Sequence, residues 1–522
     1  MGKFINKGNE WFKDIVQREY VDKSGLISVV NNTLCSEFRF SCVTRCRRFG
    51  KSLAAKMLVA YYDRSCDSHE LFKHLKIASD PSFETHLNKY PVIYLDMTAF
   101  VSKYKDATVV QQIEKALIED IHNAYSDIPL KENSDLMDLL LDINEARSEQ
   151  FIFIIDEWDA ICREFDPKTK AMEDYLNWLR RMFKSSDGLT AFAGVYMTGI
   201  LPIKKYNTQS ALNNFKEYSM VKPGKMASFF GFTKEEVRQL AEKHSMDFGE
   251  LEKWYDGYQI GKENSMFNPN SVMMALDDGE CSNNWASTGA YDAVSGYITR
   301  NFGGLKDDVI FLLAGGRVKV KTSKFGNDMA DIKDRNDVLT LLIHLGYLAY
   351  DWSKNACYVP NLEVAEELSS AVEDSGWTNV AYALQNSETL LEDTLRGNAA
   401  AVATAIDVVH SEQTSILSYN DENSLACVLS IAFYCARKDY IIHREFPSGY
   451  GFADLVFSPR PNVDKPAIII ELKQGHSAEE AILQIRERKY VDKVRQRTPH
   501  ILLVGINYDP DSKHHTCIIE KA

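Results

Sequence analysis

Three short stretches hold most of the chemistry this chain can do. Gly50-Lys51-Ser52 stands where a strand pattern gives way to a helical one. A helix start aims free N–H groups and partial positive charge at an anion. A lysine there reaches outer phosphates, and a serine hydroxyl ligates Mg²⁺. Further on, Ile154-Ile155-Asp156-Glu157 closes an apolar run with two acids. Asp156 is placed to hold the Mg²⁺ shell and Glu157 to polarise an attacking water, with Thr198, after Val195-Tyr196-Met197, reaching the γ-phosphate or that water. The plainer reading is that Asp156, Glu157 and Asp159 only end a strand and begin a helix. The third stretch pairs Asp454 with Glu471-Leu472-Lys473, seventeen residues later. Two adjacent strands bring such carboxylates to one edge, where Asp454, Glu471 and the Leu472 carbonyl suit a hard cation. Side chains alternate along a strand, so Glu471 and Lys473 share a face, and the lysine can orient or help deprotonate a water beside the metal. The plainer reading here is a turn aspartate and an exposed strand pair.

These residues need particular elements to hold them. Residues 38–43, 92–95, 151–155 and 192–198 read as strands, with helices expected over 52–63 and 108–125. The run 151–155 is apolar throughout, as a strand buried on both faces should be. The β-α-β-α-β order is that of a parallel nucleotide-binding sheet. From 231 to 374 the pattern turns mainly helical, with Thr233 and Glu236 forming a capping box. Residues 339–358 read as a helix and small hairpin, winged-helix-like in outline, and 377–417 as helix. The last part reads as a helix over 424–434, strands at 440–444, 453–457 and 467–472, one long helix over 478–495, and a strand at 501–505. The fold class is therefore α/β, with expected divisions at 1–228, 229–404 and 405–522.

Composition agrees with a globular chain of several domains. The chain has 522 residues, 45% hydrophobic and 26% charged, and 60 Lys and Arg against 74 Asp and Glu give a net charge of −14. Bulk charge therefore does not coat nucleic acid, although the basic run 486–497 offers a local phosphate-binding face. There is no apolar run of about 18 residues to span a membrane, and the N-terminus lacks a secretory h-region. Ten Cys without paired or zinc-like spacing read as reduced thiols of a cytoplasmic protein.

Tyr20-Val21-Asp22-Lys23 followed by Arg47-Arg48-Phe49-Gly50-Lys51-Ser52 resembles the prokaryotic AAA-ATPase-like proteins, with their YVDKT and RPRRFGKS motifs. Pro91 to Asp96, Thr198-Gly199-Ile200, Trp254 to Tyr258, Asn268-Pro269 and Tyr358 to Asn361 extend the likeness. That family usually ends in a PD-(D/E)XK nuclease-like domain, which the Asp454 and Glu471-Leu472-Lys473 segment resembles. The resemblance implies an arginine-rich loop in place of a glycine-rich one, which accounts for Arg45 at the first glycine position of the G-x-x-x-x-G-K-[ST] pattern. Cys46 stands where proline is usual, and Ala453 where the nuclease proline would be. Arg47 and Arg48 would contact phosphate or reach a neighbouring subunit, or else be solvated. The YVDK stretch would pack near the nucleotide base, or else be a surface turn. The nuclease likeness matches Gln484 to an accompanying glutamine and Glu422 to an additional acid, with Tyr490 following on the same segment. The function implied is an ATP- and Mg²⁺-binding ATPase coupled to a Mg²⁺-dependent nuclease acting on DNA. The alternative is an ATP-switched scaffold for nucleic acid or protein whose nuclease fold is silent. Homo-oligomerisation is expected of such ATPases, and membrane association is not.

Overall fold

The computed structural model describes residues 2–131, 134–166, 169–203, 205–206, 209–210, 212–261, 263–285, 304–326, 332, 334–374, 383–384, 386–413, 426, 429–448, 451–461, 463–495 and 498–522. The chain forms two compact units, one of Met1–Cys281 with Val320–Cys357 and one of Ser282–Lys319 with Tyr358–Ala522. The polypeptide thus passes from one unit to the other three times.

The first unit is built on strands β1 (Phe40–Thr44), β2 (Val92–Asp96), β3 (Phe151–Asp156), β4 (Phe192–Gly199) and β5 (Lys216–Tyr218), in the spatial order β2-β3-β4-β1-β5. All four pairings are parallel. Helices α1 (Lys51–Tyr62), α2 (Val109–Ala124) and α3 (Lys170–Phe183) belong to this unit. Alternation in β3 explains its unbroken apolar run: Phe151, Phe153 and Ile155 enter one core, and Ile152 and Ile154 the other. Each such buried side chain contributes roughly 1.5–3 kcal/mol, so both faces of the sheet hold the strand ends in place. The first strand starts at Phe40 rather than residue 38, because Phe38 is exposed.

The region after β5 is less purely helical than its pattern suggests. Phe232–Thr233, Tyr258–Ile260 and Glu263–Phe267 form a small antiparallel sheet. Helix α4 (Lys234–His244) follows the expected capping box: Thr233 Oγ1 accepts from the Glu236 N–H at 3.3 Å, and Glu236 Oε2 accepts from the Thr233 N–H at 2.8 Å. The expected helix and hairpin over 339–358 fall on Arg335–Leu345, Ala349–Asp351 and Ala356–Tyr358.

The second unit carries a five-stranded sheet in sequence order: β6 (Tyr440–Ser448), β7 (Gly451–Pro459), β8 (Ala467–Gln474), β9 (Ile501–Asp509) and β10 (His514–Lys521). Only β8 and β9 are parallel. Their connection is α5 (Ala478–Glu487) and α6 (Tyr490–Arg495). The single helix expected over 478–495 is broken, because Lys489 takes a left-handed backbone (φ 55°) between the two. Tyr490 then turns inward to donate to the Phe452 carbonyl at 2.8 Å. The described cysteines are free thiols. Among the described residues no helix is long and apolar enough to cross a membrane.

Candidate functional site

In the first unit the chain leaves β1 at Thr44 and enters α1 at Lys51. Gly50 caps α1 in a left-handed conformation (φ 85°) without any side-chain capping bond. A glycine is needed there for its backbone angle and not for space, since a Cβ would meet nothing within 4 Å. Gly50 offers no side chain to the first-turn N–H groups of α1, which suits them to an outside acceptor. Lys51 is buried, its Nζ donating to the Cys46 carbonyl at 3.1 Å and lying 3.7 Å from Glu157 Oε1. Phe49 is buried edge-on against Tyr258 at 5.1 Å, which anchors the loop.

The acids converge because β1, β4 and β3 are neighbours, with Val43 paired to Thr198 and Ile155 to Met197. Asp156 is buried at the end of β3; the Thr198 hydroxyl donates to its Oδ1 and the Tyr94 hydroxyl to its Oδ2 at 3.2 Å. Burial raises its pKa, while hydrogen bonds from Thr198 and Ser52 pull the other way. Ser52 and Asp156 are therefore in direct contact, the pairing that a phosphate-bound cation requires. Glu157 follows in a left-handed backbone (φ 54°), uncommon for a side chain of this kind. Its N–H donates to Thr198 Oγ1 at 3.3 Å, and Arg163 Nη2 donates to its Oε2 at 2.6 Å.

Three residues of this site carry roles that sequence reasoning missed. Arg45 is fully buried and turned away from the helix start, donating to the carbonyls of Thr44 and Tyr218 at 2.8 and 2.9 Å. Burial lowers its pKa to about 10. Asp159 is fully buried, and its Oδ2 accepts from the N–H groups of Ile200 and Leu201 at 3.1 and 2.9 Å. It ties the turn after β3 to the turn after β4. A Cβ on Gly199 would lie 2.6 Å from Asp159 Oδ1, so the two turns meet only because Gly199 has none. Arg163 spans both acids, with Nε 3.3 Å from Asp159 Oδ2. The Asp-x-x-x-Arg spacing, one helical turn, was the available signal. Arg47 is half-buried; burial lowers its pKa most, then the nearby Arg163, with Glu157 opposing. Arg48 is half-buried with φ 65°. The YVDK stretch is no loose surface turn: Lys23 Nζ donates to the Ser228 carbonyl at 2.9 Å and to Glu236 Oε2 at 2.7 Å.

In the second unit, β7 and β8 pair antiparallel with Leu455 opposite Ile470, which carries Asp454 to the level of Glu471. Asp454 Oδ2 accepts from the Leu472 N–H at 2.8 Å. Glu471 shares the face of Ile469, towards α5, where Gln484 donates to its Oε1. Lys473 Nζ lies 3.6 Å from the same oxygen. Glu471 is 2% exposed. Its pKa rises to about 8, chiefly through burial and then the charge of Asp454, with Lys473 opposing. Its second oxygen, Oε2, is buried without a hydrogen-bond partner. A buried acceptor in that state suits a cation or a proton. Tyr490 lies beside Gln484 and the two acids. Glu422 and residues 414–425 lie outside the described residues. Among the described residues no group of three or more His, Cys, Asp or Glu side chains clusters as a metal cage.

Residues 8–208 match the AAA-ATPase-like family, described as predicted AAA-ATPase, and residues 420–517 match the PD-(D/E)XK nuclease superfamily. An uncharacterized protein in the vnfD 5′ region of Azotobacter chroococcum mcd 1 is 21% identical, over 98% of this chain and 95% of its own length. Among solved structures, the Aeropyrum pernix ORC2 protein in ADPNP–ADP complexes aligns at 12% identity and a TM-score of 0.27, covering 67% of this chain and 93% of that one. A DNA replication initiation factor aligns at 8% identity and a TM-score of 0.23, covering 62% and 77%. At these scores neither structure bears on the function of this chain.

Proposed function

We propose that this chain, which joins an AAA-ATPase-like module to a PD-(D/E)XK-superfamily module, binds and hydrolyses ATP in the first unit and cuts DNA in the second. The observation that carries the reading is a shared constellation: in each unit a lysine amine stands within 4 Å of a carboxylate, Glu157 just past β3 and Glu471 within β8. Lys51 and the α1 N–H groups bind the phosphates, Ser52 and Asp156 hold Mg²⁺, and Glu157 takes the proton of the attacking water. Thr198 orients Asp156. Arg47 and Arg48 add charge to the phosphate face or reach a neighbouring copy in a homo-oligomer. In the second unit Asp454, Glu471 and the Leu472 carbonyl hold Mg²⁺, Lys473 orients the water, and Gln484 and Tyr490 fix the surround. Glu422 remains a proposed accessory acid. The metal supplies charge neutralisation at the phosphoryl group and a more acidic water. Residues 1–228, 229–404 and 405–522 act as ATPase, coupling region and nuclease. The setting is the cytoplasm.

The paired test is phosphate release from ATP and Mg²⁺-dependent DNA cleavage, measured on wild type, Lys51→Ala and Lys473→Ala. Lys51→Ala should abolish release and Lys473→Ala should abolish cutting. DNA cutting that ignores both ATP and Lys51→Ala would end the coupling. A second reading is an ATP-switched scaffold with a silent nuclease fold, favoured by the absence, among the described residues, of a group of three or more His, Cys, Asp or Glu able to hold a metal. Under it, Lys473→Ala changes nothing catalytic.

A further inference from the structure

Tyr94 faces two ways. Its hydroxyl donates to Asp156, while its ring forms part of the wall of a cavity of about 610 Å³ at the β2 edge of the first sheet. A volume of that order is typical of small-ligand sites. Five lysines line it: Lys3, Lys7, Lys56, Lys103 and Lys115. Two acids share the lining, Asp96 and Glu119, and Asp120 acts on Lys7 from beside it. Asp96 already caps its own helix by accepting from the Thr98 N–H at 3.0 Å, and Glu119 lies 3.8 Å from Lys115. In a chain of net charge −14 this is a local concentration of positive charge.

The cavity is also aromatic. Trp11 is 43% exposed and meets Tyr94 edge-on, with ring centroids 5.5 Å apart. The Lys7 and Lys56 amines stand 4.2 and 5.5 Å from the Trp11 ring centroid. Both amines stand over the indole ring, so a base that stacks on Trp11 displaces them towards the phosphate it carries, and one cavity supplies both a stacking surface and phosphate contacts. Such interleaving of aromatic and basic groups is how sequence-tolerant sites hold single-stranded nucleic acid. Burial lowers the Lys7 pKa most, while Asp120 and Asp96 raise it, so the amine gains from a neighbouring anion.

We propose that this cavity is a second nucleotide-binding site, separate from the α1 phosphate site, which takes a planar base on Trp11 and its phosphate on Lys7 and Lys56. The same chemistry is offered by a free mononucleotide and by a nucleotide within a single strand. Through the Tyr94 hydroxyl, occupancy bears on the acid at the end of β3. The site is independent of whether either enzymatic activity exists.

The test uses the full-length chain carrying Lys51→Ala and Lys473→Ala, titrated without metal by a short oligothymidylate, by dTMP and by inorganic phosphate, reading tryptophan fluorescence. The expected result is saturable quenching that Trp11→Phe removes and that Lys7→Glu weakens by roughly fivefold or more. Quenching by dTMP assigns the site to free nucleotides, and quenching by the oligonucleotide alone assigns it to a strand. Equal quenching with and without Trp11, no quenching by either nucleotide, or inorganic phosphate competing as well as dTMP would overturn it. In the otherwise wild-type chain the ligand should change the rate of phosphate release, and Tyr94→Phe should remove that change while keeping the quench. A response unaltered in Tyr94→Phe would break the link to Asp156.

Discussion

The two lysine–carboxylate sites differ in how their acids are kept. In the first unit both oxygens of Asp156 and both of Glu157 have protein partners, from Thr198, Tyr94, Lys51 and Arg163. In the second, Glu471 keeps one buried oxygen without any. The first site is internally neutralised, so a nucleotide must displace existing contacts to enter. The second carries an uncompensated buried acceptor, which a cation relieves directly. The lesson is that one site is built to be rearranged by its ligand, the other to be completed by it.

The lysine variants cut this comparison most sharply, each expected to lower its own activity by about 10²–10³-fold; Lys473→Ala should spare phosphate release, whereas Lys51→Ala should also make DNA cutting unresponsive to ATP. Loss of phosphate release as well as cleavage in Lys473→Ala would show that the sites are not separable. Next, Mg²⁺ alone should stabilise the second unit by about 2.7 kcal/mol when present at a hundred times its Kd, and so raise its unfolding temperature. The first unit should respond only to Mg²⁺ with nucleotide. Glu471→Gln should remove the metal response in calorimetry.

The third effect is pH dependence. An unfolded glutamate ionises near 4.5, whereas folded Glu471 keeps its proton up to about 8. Between those values the folded state binds the extra proton, so stability falls as pH rises through this window. Glu471→Gln should flatten that fall in metal-free thermal melts, and saturating Mg²⁺ should offset it in the wild type. Asp159→Asn should lower phosphate release about tenfold, a ~1.4 kcal/mol effect, with nucleotide affinity nearly unchanged by calorimetric titration. An equal loss of affinity would mean that Asp159 serves the phosphate loop rather than the turn after β4. Smallest is Thr233→Ala, which should cost about 1 kcal/mol in denaturant unfolding through its lost cap and spare both activities.

Strong local patterns were readable in advance. The two-faced run of β3, the stripe of α2 and the Thr233–Glu236 box each repeat a periodicity that short-range sterics impose. The paired acids were readable because strand ends concentrate them. What escaped depends on contacts distant in sequence. Strand β5 is a three-residue Lys-Glu-Tyr edge with no apolar alternation, and it exists through its pairing with β1. Strand β10 is mostly polar and is held by β9. The break at Lys489 follows from the Tyr490 bond to Phe452. Arg45 looked like part of a phosphate loop and instead fills the interior, bonded to carbonyls far along the chain. Asp159 read only as the end of a strand or the start of a helix, because its bonds to Ile200 and Leu201 cross two turns that meet at Gly199.

The threefold passage between units has a consequence for how this protein is made. Translation releases the first unit in two instalments, and its final portion, Val320–Cys357, emerges only after part of the second unit has been synthesised. A nascent chain paused before residue 357 cannot have finished its first fold. A gene truncated at the apparent end of the ATPase-like segment would therefore encode an incomplete body, and a protease nick there would leave fragments that still depend on each other.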